Sequence, residues 1–120
     1  MNKLRIIGII LFIISIMTTI QAQSYNRLWK QVEEQEKKDL PKSVIAEAQK
    51  IFEKAKAEKN APQMMKAYLT MMTYRGEIAP DSIEVDRNYL KEWAEDKAAS
   101  VVDKAVLHSI LAGLYIEQDF

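Results

Sequence analysis

Between Pro41 and Glu77 the apolar positions recur with a helical period. Val44, Ile45, Ala48, Ile51, Phe52 and Ala55 are spaced by threes, fours and sevens, which lays one stripe down a helix. Lys42, Glu47, Lys50, Glu53, Lys54 and Glu58 take the opposite face. Pro41 suits the first helical position, where no N–H is needed. Pro62 disfavours helical geometry at Ala61, so this helix is predicted to stop near Asn60. Pro62 then opens a second helix with Met64, Met65, Tyr68, Leu69 and Met72 turned inward. Gly76, in a left-handed conformation, and Pro80 are expected to end it. So short a link makes the two helices antiparallel neighbours, and burial of their facing stripes drives the pairing. Among the charges, Glu53 and Lys56 form a local pair worth roughly 0.2–0.5 kcal/mol, so the stripe must supply the stability.

Three more helices flank this pair. Ser24 to Lys38 carries a short stripe of Tyr25, Leu28, Trp29 and Val32, with Ser24 as a cap. Its charged tail, Glu33 to Asp39, reads as an exposed helix end, and Leu40 is expected to tuck under the next helix. Asp81 and Glu84 resemble a capping box ahead of Ile83, Leu90, Trp93 and Ala94, with Val85 off the stripe. Ser100, with Asp103 at the box position, caps the last helix. There Val102, Ala105, Val106, Ser109, Ile110, Gly113 and Leu114 line one face, and Leu107, Leu111 and Tyr115 widen it. A helix apolar around so much of its circumference wants neighbours on two sides. The fold class expected is therefore all-α: five helices stacked as antiparallel αα-hairpins, solenoid-like, with a unit from Pro41 to Gly76 of roughly tetratricopeptide length.

The first residues change the picture. Lys3 and Arg5 precede an apolar run from Ile6 to Ile20, and Ala22 is a small residue at a plausible cleavage point. Residues 1–22 read as a signal peptide, and 23–120 as the exported module with Gln23 at its new N-terminus. The rival, a membrane anchor, wants about 20 apolar residues, more than this run provides. After cleavage no membrane span is expected. The chain has 17 basic and 17 acidic residues; without Lys3 and Arg5 the acids lead by two, which gives nucleic acid no surface to bind. There is no cysteine, so disulfides, thiol nucleophiles and cysteine metal sites are excluded.

No residue set reads as catalytic. His108 is the sole histidine and has no second ligand to share a metal. Met64, Met65, Met71 and Met72 lie in one helix; thioethers bind Cu(I), but core filling explains the pattern. Trp29 and Trp93 read as core anchors. The serines show no nucleophile elbow, and no phosphate-binding glycine loop is present. No cofactor or metal is expected.

Four phrases carry a resemblance: SYNRLW directly after the leader, KKDLPKS, KAEKNAPQMMKAY and DKAVLHSILAGLY. Together they resemble the N-terminal helical region of the large alpha-2-macroglobulin-like proteins of Bacteroidota, over nearly all of the chain after residue 22. The resemblance implies an exported or envelope-associated protein, in the periplasm or secreted, whose full-length relatives trap proteinases. The trapping parts are missing: the chain has no bait region, no macroglobulin β-domains and no Cys-Gly-Glu-Gln thioester motif. The expectation is a non-catalytic helical module, the N-terminal part of a longer protein, with the rest of that polypeptide or an envelope protein as its partner. The alternative is a free-standing envelope interaction module. Because Ile116 to Phe120 follows directly on the most apolar helix, Leu107, Leu111, Leu114 and Tyr115 are the residues expected to face the partner.

Overall fold

Five helices follow one another in the computed structural model: α1 (Asn2–Lys37), α2 (Pro41–Glu58), α3 (Ala61–Ile78), α4 (Ser82–Glu95) and α5 (Val101–Gln118). It describes the backbone of residues 2–118, with side chains at 5–9, 12 and 23–114. The all-α class holds, with no strand among the described residues.

The α1–α2 and α2–α3 turns share one device. Asp39 and Lys59 take left-handed φ values of 55° and 56°. Each lets the next N–H reach back into the preceding helix: Leu40 to the Gln35 carbonyl at 3.2 Å, and Asn60 to the Ala55 carbonyl at 2.8 Å. The left-handed residue expected at Gly76 is not there. No glycine has positive φ, and α3 runs on to Ile78. Gly76 serves packing instead, since a Cβ there would lie 3.2 Å from Ile83 Cγ1 of α4.

Caps follow the sequence in part. Ser100 Oγ accepts the Asp103 N–H at 3.1 Å, as the box pattern predicts. Asn60 Oδ1 accepts the Gln63 N–H at 3.3 Å, closing the front of α3. Asp81 makes no side-chain capping bond. Ser24 does not begin a helix, because α1 is continuous from Asn2. Nothing between Ile9 and Lys37 is a glycine or a proline, so no residue there breaks the helix. Leu40 remains 45% exposed and is not tucked.

Among the described residues the core runs from Tyr25 through Val32, Val44, Ala48, Ile51, Phe52, Met65, Met71, Leu90, Leu107 and Leu111. The α2–α3 contact is the most extensive; α1 packs on α2 and α5 on α4, and α3 meets α4 more sparingly. Tyr25 near Glu58, and Phe52 near Tyr68, are pairs that straddle the two tight turns, so α1, α2 and α3 run antiparallel in succession. Among the described residues no helix is long and apolar enough to cross a membrane.

Candidate functional site

Where α3 and α4 meet, side chains substitute for close backbone packing. Asp86 occupies a stripe position of α4, three residues after Ile83 and four before Leu90, and is 2% exposed. Its Oδ1 accepts the Tyr68 hydroxyl at 2.9 Å and is paired with the Arg75 guanidinium. Burial, and then the Asp86 carboxylate it donates to, push the Tyr68 phenol well above its ordinary range. The phenol holds its proton, and the Arg75 guanidinium faces the same carboxylate oxygen. The cluster thus clasps two helices. It was missed in the sequence, yet two signals mark it: an acid inside the apolar stripe of α4, and Arg75 seven residues after Tyr68 on one face of α3.

Aromatic rings surround this clasp. Tyr68 and Tyr89 stack with centroids 4.6 Å apart, Phe52 tilts against Tyr68 at 5.7 Å, and Trp93 meets Tyr89 edge-on at 6.4 Å. Beside them opens a recess of about 320 Å³ lined by Lys56, Met64, Tyr89, Glu92, Trp93 and Asp96. Burial, and then the Glu53 charge, raise the Tyr89 phenol above its ordinary range. A second groove, about 430 Å³, lies between α3 and the α4–α5 hairpin, with Leu69, Met72, Gly76, Ile83 and Leu114 on its walls.

Polar clips fasten α1 to the hairpin. Tyr25 donates to Glu58, which is also bonded by Lys54 at 2.6 Å. The Lys54 ammonium lies 5.1 Å from the Tyr25 ring centroid. Trp29 Nε1 donates to Gln63 Oε1 at 2.7 Å, with the Lys66 ammonium 4.2 Å from the indole ring. Trp29 and Trp93 pack against the core while only half-buried. Glu53, expected to pair with Lys56, instead accepts from Gln49 Nε2 at 2.7 Å.

The residues expected to face a partner require correction. Leu107 is fully buried and Leu111 is 6% exposed, both inside the core cluster, and Leu114 is half-buried against it. Tyr115 lies outside the described side chains. Leu107 and Leu111 are one turn apart, and α5 presents that line to α4. The face that Val102 to Leu114 were expected to line is open in part: Val102 and Val106 are 71% and 42% exposed, Ala105, Ser109 and Gly113 are exposed with them, and Val101 beside them is 84% exposed, while Ile110 and Leu114 pack against the core. The buried line on α5 runs through Leu107 and Leu111, the residues expected to widen that face, because α5 is apolar on both sides.

His108 is exposed on α5, and no group of three or more metal-ligating residues occurs among the described residues. Met65, Met71 and Met72 are buried in the core, so their thioethers fill space between α2, α3 and α4. Helix α5 thus leaves an uncovered apolar surface, formed by its exposed valines. No family model, curated protein or solved structure matches this chain.

Proposed function

We propose that residues 23–120 form a non-catalytic, tetratricopeptide-like docking module of an exported protein, the N-terminal part of an alpha-2-macroglobulin-like polypeptide. In this reading proteinase trapping belongs to the whole protein, and the module seats the next part of the same chain on α5. The observation that carries the reading is the two-sided last helix. One side, Leu107 and Leu111, is spent on α4; the other, Val101, Val102 and Val106, is apolar and uncovered. A stacked helical array continues by covering such a face with its next helix.

Two further observations favour this reading. Among the described residues the first in the core is Tyr25, three residues after the expected cleavage point, while Ile6, Ile7, Ile9 and Phe12 are all more than half exposed. A leader contributes nothing to the mature core, and removing one here costs none of the contacts described. The phrases that carry the resemblance also hold the inter-helix fasteners: Tyr25 and Trp29 in the first, Glu58, Gln63 and Tyr68 in the third. A resemblance concentrated on joining residues is one of architecture.

The test is the size of the native product. An antibody to residues 23–120, used on a cell-envelope fraction, should reveal a band far larger than 13.8 kDa. A single band at or below that mass would reject the macroglobulin-like reading in favour of a free-standing helical interaction module.

A further inference from the structure

We propose that Gln23, once it becomes the first residue of the exported chain, is converted to pyroglutamate. The proposal rests on the export reading above, with cleavage after Ala22. The chemistry is internal to the residue. The α-amine attacks the side-chain amide carbon, forming a new C–N bond and a five-membered lactam. The bond from that carbon to the amide nitrogen breaks, and the nitrogen leaves as ammonia, taking a proton from the amine. No oxidant, reductant or second substrate enters. The reacting amine must be neutral, and an α-amino group titrates at about 8, so a usable fraction is neutral at physiological pH.

The structure leaves this residue free to react. Gln23 is exposed. The first buried side chain after it is Tyr25, which is 3% exposed and bonded to Glu58 of α2. Cleavage therefore leaves a two-residue stub, Gln23-Ser24, ahead of the first anchored side chain. The leading N–H groups of a helix have no intrahelical partner, so closing the ring disrupts no helical hydrogen bond.

Electrostatics favour the product. An α-ammonium at this point would stand at the positive end of the shortened α1. Ring closure removes the ammonium charge and places a carbonyl acceptor at the helix start. The same ring leaves the exported chain without an α-amine for aminopeptidases to engage.

The experiment is N-terminal peptide mass spectrometry on the native exported protein, with amine labelling applied at harvest. The expected result is a peptide that begins at residue 23, lighter by one ammonia than open glutamine and unlabelled. A peptide beginning at residue 23 that is mainly open and labelled would overturn the proposal while leaving the export reading intact. A peptide retaining residues before 23 would overturn both. The variant Gln23→Glu, whose side chain is a poorer acyl donor, should be cleaved at the same place and carry a labelled amine; an unlabelled variant would place the block elsewhere and overturn the proposal.

Discussion

At Tyr68 three helices meet: its ring lies 5.7 Å from Phe52 on α2 and 4.6 Å from Tyr89 on α4, and its hydroxyl donates to Asp86. Phe52→Ala removes the ring beneath this stack and should cost about 3–5 kcal/mol, read as a large fall in the melting temperature of residues 23–120. An unchanged melting temperature would take Phe52 out of the core. Asp86→Ala strands both the Tyr68 hydroxyl and Arg75. Because the Arg75 side chain is 32% exposed and water can reach it, the loss should sit at the low end for a buried pair, about 3 kcal/mol. The double change Arg75→Met with Asp86→Leu should recover part of that loss, since no charge is orphaned while the Tyr68 hydroxyl still lacks its acceptor. Tyr25 and Glu58 give the fold a pH signature. Burial, and then the Glu58 carboxylate, push the Tyr25 phenol from 10.0 up to about 12. Folding thus holds this proton more tightly than the unfolded chain does, and the associated stability is lost as pH rises from 10 through about 12. Bonds from Lys54 and then Tyr25 hold Glu58 below its ordinary 4.5, so its share is lost as pH falls through that region. Denaturant titrations of Tyr25→Phe should show a shallower alkaline decline than the parent. Equal slopes would remove this pair from the account.

At the level of the helices, the proline positions and the periodicity of α2 and α3 were enough to place both elements in the sequence. Pro41 and the Val44–Ala48–Ile51–Ala55 stripe behave as expected, with those four stripe residues fully buried. Two things were illegible for physical reasons. Left-handed caps fell on Asp39 and Lys59, which sequence rules rank far below glycine, because the short turns demand that geometry whatever residue stands there. On α5 a hydrophobic period alone did not say which of two apolar ridges is buried; only the packing of α5 on α4, with Leu107 and Leu111 inside the core, decides it. The Asp86 clasp was hidden for a related reason: its partners come from another helix, so the acid in the α4 stripe and the Tyr68–Arg75 spacing on α3 gain meaning only where the two helices meet. The cap makes its own prediction. Lys59→Gly relieves the left-handed strain and should stabilise the module by about 1 kcal/mol. A neutral or destabilising result in thermal denaturation would mean that the Lys59 side chain contributes packing not visible at this turn.

Across the described residues, helices pack on their neighbours in sequence, polar clips hold the joints, and α5 turns valines to solvent. The proposed docking role rests on that open face. The chain has no cysteine, so Val102→Cys introduces a single thiol at the centre of the open face. Its rate of alkylation should be compared between folded, isolated residues 23–120 and the native exported protein in its envelope fraction. The account predicts rapid labelling in the isolated module and strong protection in the native protein, because something is seated on α5 there. Equal labelling in both would mean that the valine face stays bare in the cell, contradicting the docking function.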